Sequence, residues 1–284
     1  MAKTIGNPLS WTARQVGSAG EHIAATAAEL GGDASAPPRI NRLSMHDIRE
    51  SLEAGKADFL ACRTDAIFLV LIYPIVGLAL IAVGFRADHL PLLFPLLAGF
   101  ALLGPVAAVG LYEMSRRREV GEPVNWQNAF AVIQSPSFGA VVLIGLYMLA
   151  LFIVWMFVAL QIYNWTMGPE KPVSLSAFVG DVFSTPAGWT MIVIGCGVGF
   201  LFALLALAMS LVSFPLLLDR HVGVPVAIVT SFRVVRQNPT VTLAWGAVVA
   251  AGLVLGAIPF LAGLVVVMPI LGHATWHFYR RAVS

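Results

Sequence analysis

In this chain of 284 residues, 58% are hydrophobic and only 11% are charged, against about 25% charged in soluble domains. That balance, with several apolar runs close to bilayer length, excludes an ordinary soluble domain and points to an integral membrane protein. The formal net charge of +2 is too small to indicate a nucleic-acid partner, and the two cysteines, Cys62 and Cys196, exclude a disulfide framework or a four-cysteine metal site from this chain alone.

Residues 1–38 are rich in Ala, Gly, Ser and Thr and end in Pro37-Pro38. They carry too little apolar surface to offset the entropy of ordering, which predicts a disordered cytoplasmic tail. Residues 1–30 lack the continuous apolar core of a signal peptide, so the first span is expected to serve as the insertion signal. The membrane domain is then 39–284.

Residues 44–60 predict an amphipathic surface helix. Ser44 and Asp47 stand in capping-box positions. Met45, Ile48, Leu52 and Phe59 fall on one side, and Asp47, Arg49, Glu50, Glu53 and Lys56 occupy much of the rest. The first two spans are expected at 65–84, which contains Pro74, and at 92–112, which contains Pro95 and Pro105. A short turn with Arg86, Asp88 and His89 joins them. Arg116, Arg117 and Arg118 make a basic turn before a second surface helix at 124–135. The third span is 138–162. The connection 163–187 holds Tyr163 and Trp165, with Trp189 just beyond, as an aromatic belt would, and a short interfacial helix is expected at 174–183. The fourth span, 188–218, is longer than a bilayer needs. A third surface helix at 225–237 leads to spans at 240–257 and 260–279, which turn near Pro259 and end at Arg280-Arg281.

The fold class is therefore all-α: a polytopic membrane protein with six transmembrane helices in three hairpins and cytoplasmic amphipathic helices. Charge placement supports this count. With six spans, all 17 Lys and Arg except Arg86 and Lys171 fall on the side of the N-terminus. The positive-inside rule makes that side the cytoplasm, with both termini there, in a bacterial inner membrane.

The sequence also repeats internally. Gly121-Glu122-Pro123 recurs as Gly223-Val224-Pro225, setting Trp126 on Ile228, Phe130 on Phe232 and Ile133 on Val235. Pro105 precedes Arg116-Arg117 by the spacing that separates Pro269 from Arg280-Arg281. The expected unit is a surface helix followed by a hairpin.

Pro38-Arg39-Ile40, the Gly55…Asp58-Phe59 segment, and Gly104-Pro105 followed by Leu111-Tyr112-Glu113-Met114-Ser115-Arg116-Arg117 resemble a bacterial family of predicted integral membrane proteins of unknown function. The resemblance covers residues 38–281. Some members are labelled subunit I of cytochrome c oxidase, which implies an association with a respiratory complex. The residues argue against the literal label. Such a subunit needs several buried histidines for two haems and a copper, and of six histidines here only His273 and His277 lie within or near a span.

His273 and His277, spaced i, i+4, project from one helical face. They are the candidates for binding a haem or metal with a partner subunit. The alternative is interfacial anchoring and helix packing, and the Glu of a zincin motif is absent from His273-Ala274-Thr275-Trp276-His277. No cofactor is expected from this chain alone. Glu113 reads as the ion-pair partner of Arg116 and Arg117. No Asp, Glu, Lys or Arg falls in the central part of any expected span, which argues against a proton-coupled pump. Arg116, Arg117, Arg118, Arg233, Arg236, Arg280 and Arg281 are the candidates for contact with anionic headgroups. The expected function is a non-enzymatic scaffold or accessory subunit beside another membrane complex. The alternative, a small transporter or lipid-handling protein, is suggested by the repeat and by the prolines that interrupt the spans.

Overall fold

The computed structural model of the chain describes residues 38–85, 87–220 and 222–284. Residues 1–37 of the expected tail lie outside them. Among the described residues the regular elements are helices. Extended pairing is confined to one isolated antiparallel bridge, Ile40 with Val283. That bridge is backed by Ser284 N–H donating to Arg39 O at 3.0 Å and Arg39 N–H donating to Ser284 O at 3.2 Å.

The first helix, α1, is Met45–Ala61. The Asp47 carboxylate accepts from the Ser44 N–H at 2.7 Å, satisfying an orphan donor at the helix start. Its buried face is Ile48, Ser51, Gly55, Asp58 and Phe59, while Met45 is exposed. This departs from a simple apolar stripe, because α1 packs across another helix. A Cβ on Gly55 would stand 2.4 Å from the backbone nitrogen of Ala274. Only glycine lets the two backbones approach so closely.

Four stretches are long and apolar enough to cross a membrane: Arg63–Gly84, Phe138–Thr166, Pro186–Asp219 and Pro239–Ala257. The first comprises α2 (Arg63–Val70) and α3 (Ile72–Gly84), interrupted at Leu71. The break follows from Pro74, which has no N–H for the Val70 carbonyl.

The expected span at 92–112 is not one helix. After a 3-10 turn at Ala87–Leu92 come α4 (Leu93–Leu102), α5 (Gly104–Ala107) and α6 (Val109–Glu119). Pro105 cannot serve the Ala101 carbonyl, so the helix stops and restarts with proline in its first turn. The expected helix at 124–135 is likewise shorter, as α7 (Trp126–Ala129) followed by a 3-10 turn at Phe130–Gln134. Asn125 Oδ1 accepts from Asn128 N–H at 2.9 Å, and Asp65 Oδ1 accepts from Trp126 N–H at 2.9 Å.

The second of the four stretches is α8 (Phe138–Thr166), which α9 (Leu175–Ser184) follows. The third is α10 (Pro186–Ser210) continued by α11 (Ser213–Asp219). At their junction Ser231 Oγ accepts from the Val212 N–H at 3.2 Å. Helix α12 is Val224–Gln237, α13 is Pro239–Ala257 and α14 is Leu264–Ala282. Phe260 and Leu261 take positive φ (51° and 65°) in the turn before α14. Helix α14 carries His273, His277, Arg280 and Arg281 in its second half, and so lacks the uniform apolarity of the four crossings.

The largest fully buried side chains include Leu111, Met114, Phe214, Trp245, Trp276 and Tyr279. Most of them belong to α6, α11 and α14, whose ends meet around Arg280. The tight core therefore sits at one end of the bundle. The other end presents apolar side chains outward, and only 11% of an 18-residue apolar window within Pro186–Asp219 is buried.

Candidate functional site

The polar groups converge where α1, α6 and α14 meet. Asp58 comes from α1, Ser115 and Arg118 from α6, and His273 and His277 from α14. Asp58 is 5% exposed, Ser115 1% and His273 0%. Asp58 Oδ2 accepts from Ser115 Oγ at 2.7 Å and from His277 Nε2 at 2.8 Å. Its Oδ1 stands 2.8 Å from Arg118 Nε. Ser115 Oγ is also 2.7 Å from His273 Nδ1. The serine has one proton, and it goes to Asp58, so His273 Nδ1 must carry the hydrogen that points at the serine oxygen. Cys62 adjoins the group, with its Sγ donating to the Asp58 carbonyl at 2.9 Å and lying 3.9 Å from His273 Nε2.

Burial disfavours the charge on Asp58. The hydrogen bonds from His277 and Ser115 outweigh it and hold the carboxyl below its ordinary value of 3.8. Burial acts in the opposite sense on Cys62, pushing the thiol up to about 11, with the Asp58 charge adding to the effect.

Around this knot runs a belt of ion pairs. Glu113 accepts from Arg116 Nε and Nη2 at 2.7 and 2.8 Å and from Arg117 Nε at 2.7 Å. Arg280 reaches Glu119 Oε1 at 3.0 Å and Asp219 Oδ2 at 3.2 Å, joining the ends of α6, α11 and α14. Trp276 Nε1 donates to Glu119 at 2.9 Å, and the Tyr279 hydroxyl donates to Asp219. Arg281 pairs with Glu50 and lies 3.6 Å from Asp47. Among the described residues, no buried side-chain nitrogen or oxygen is left without a partner.

This geometry divides the candidate residues. His273 and His277 share a helix face, but one bonds Ser115 and the other bonds Asp58. No group of three His, Cys, Asp or Glu placed to hold a metal occurs among the described residues. Of the seven arginines suggested for headgroup contact, Arg116, Arg117, Arg118, Arg280 and Arg281 are paired with acids of this chain. Arg233 and Arg236 are exposed on α12 and make no ion pair among the described residues. Asp58 and Ser115 were not singled out by spacing. The signal that could have found them is the motif set itself, since both lie in the segments that carry the family resemblance.

Ser115 and His273 stand at the separation of a nucleophile and its base. The serine proton, however, points to Asp58, and both side chains are sealed from solvent. What this arrangement does chemically is fasten three helices through one carboxylate.

A second feature lies between α4, α8 and α10. It is a groove of about 220 Å³ lined by Phe94, Leu102, Trp155, Cys196, Gly199 and Phe200. Trp155 Nε1 donates to the Pro95 carbonyl at 2.8 Å, fixing the indole at its wall.

The family described as Predicted integral membrane protein (DUF2189), whose function is unknown, matches residues 93–219. That range runs from the start of α4 to the end of α11. It includes Ser115 and Arg118 and leaves out Asp58, His273 and His277. No curated protein and no solved structure matches the chain.

Proposed function

We propose that this chain is a non-enzymatic integral protein of the bacterial inner membrane, a scaffold or accessory subunit for another membrane complex. It crosses six times in three hairpins, with the arginine-bearing face and both ends of the described chain in the cytoplasm. Two observations support the six crossings. Arg280 ties the ends of α6, α11 and α14 together. The starts of α2, α8 and α13 lie at the same face: α2 through the bond from Trp126 to Asp65, α8 through the 3-10 turn Phe130–Gln134 that follows Trp126 in the chain, and α13 through Asn238 and Leu43. Three rods that leave one face and three that return to it make three hairpins, and the density of arginine there favours the cytoplasm.

The observation that carries the scaffold reading is the contrast between the two ends of the bundle. The ionisable side chains at one end close on each other. The rods at the other end leave apolar faces bare, with Val193, Phe200 and Leu201 of α10 all exposed. Such faces suit packing against other transmembrane helices. Purification in a mild detergent followed by mass spectrometry tests this. A stoichiometric membrane partner is expected, and subunits of respiratory complexes are the first to look for. Recovery of the chain alone would overturn the reading.

The groove beside Trp155 favours a second reading, a small transporter or lipid-handling protein. Its apolar lining suits a hydrocarbon chain rather than a polar solute. Quenching of Trp155 fluorescence by brominated acyl chains, lost in Trp155→Phe, is the expected sign. Equal quenching of both proteins would remove it.

A further inference from the structure

We infer that the exposed face of α12 is a binding surface for the phosphate headgroups of anionic phospholipids, with Arg233 and Arg236 as its cations. This rests on the reading above that the arginine-bearing face lies at the cytoplasmic leaflet.

The first argument is charge. Five of the seven arginines in the basic turns are neutralised by acids of the same chain. Arg233 and Arg236 are the pair left facing outward, one turn apart. Arg42 adds a third exposed cation beside the helix end. Its neighbours Asn41 and Leu43 both bond Asn238, at 3.1 and 2.8 Å. An anion is the complement of such a patch.

The second argument is amphipathicity. Helix α12 buries Val224, Ala227, Thr230, Ser231 and Val234 against the bundle. On the opposite face, Val229 and Phe232 are exposed among the arginines. Apolar side chains interleaved with arginines on one helix face match the level where hydrocarbon and headgroup meet, because the phenyl ring can enter the acyl region while the guanidinium stays at the phosphate. Arg233 and Arg236 can each meet a phosphate with two parallel hydrogen bonds. A soluble anion would use the arginines but would leave Val229 and Phe232 in water, so the lipid is the better match.

The test uses the full chain in detergent, with native mass spectrometry and thermal melting read in parallel. Phosphatidylglycerol and phosphatidylcholine are added separately, and inorganic phosphate serves as the competitor. Retained adducts and a raised Tm are expected with phosphatidylglycerol but not with phosphatidylcholine. Arg233→Gln and Arg236→Gln should each weaken retention about fivefold, and Lys56→Gln should leave it unchanged. Both arginine side chains are exposed, so the variants should melt normally without lipid, which separates lost binding from lost folding. Three outcomes overturn the inference: equal retention of both lipids, unchanged retention by the double variant, or full displacement by inorganic phosphate. None of them depends on whether a protein partner is found.

Discussion

Asp58 Oδ2 accepts a hydrogen bond from His277 Nε2 at 2.8 Å, across a separation of 219 residues. One carboxylate near the start of the described chain thereby holds a helix at its end. The same oxygen takes the Ser115 proton, so three helices share a single acceptor.

Replacing Asp58 with Asn removes the charge but keeps the size. Arg118, His277 and Ser115 then lose their common partner in a buried setting. A loss of about 3 kcal/mol is expected, the cost of breaking a buried pair. Unfolding in mixed micelles measures it. A change below about 0.5 kcal/mol, the level of an ordinary surface substitution, would show that the network is incidental.

Gly55 makes a separate prediction, since it carries no charge. Gly55→Val places carbon against the Ala274 backbone, where even a Cβ would be 2.4 Å away. Helix α1 must lift from α14, at a cost of about 1–3 kcal/mol for overpacking. Cys62, buried in the native packing, should then react faster with thiol reagents. An unchanged labelling rate would mean that α1 tolerates the displacement.

The pH dependence has two limbs. The Asp58 carboxyl titrates below 3.8 in the folded protein, so between the folded and unfolded values the unfolded chain binds more protons. Its contribution is complete above the unfolded value and is lost as pH falls through the folded one. Cys62 works the other way. Its thiol is raised to about 11 from 9.0, so its contribution is complete below pH 9 and is lost as pH rises towards 11. Stability profiles of Asp58→Asn and Cys62→Ala against the parent test each limb. Cys62→Ala should flatten the alkaline limb and leave the acid one, while Asp58→Asn should flatten the acid limb and also shallow the alkaline one, because the Asp58 charge adds to the rise of the thiol.

Topology can be read with single thiols in a background where Cys62 and Cys196 are replaced by Ala. Glu122→Cys should react only with reagent given access to the cytoplasm. Val173→Cys, at a position 94% exposed, should react from the opposite side. Labelling of both from one side would remove the crossing by α8 that separates them.

Much of the architecture was legible in the sequence because apolar length and arginine position are local signals. The runs at 65–84, 138–162, 188–218 and 240–257 each contain or fall within helices long enough to cross. Breaks at Leu103 and Ala108 were less legible, because proline is tolerated in some membrane helices and interrupts others, depending on the neighbours that take up the freed carbonyls. The knot was not legible as a site. Asp58, Ser115 and His273 come from three distant segments, and no periodicity relates them. Arg118 illustrates the same limit. In sequence it is one of three adjacent arginines facing a leaflet, but folding turns it to Asp58 while Arg116 and Arg117 turn to Glu113.

The bridge between Ile40 and Val283 sets Arg39 and Ser284 within hydrogen-bonding distance of each other. The two ends of the described chain are thus neighbours in space. A short peptide could join Ser284 to Arg39 and new ends be opened in the connection at Gly168, giving a circular permutant with every helix in its present place.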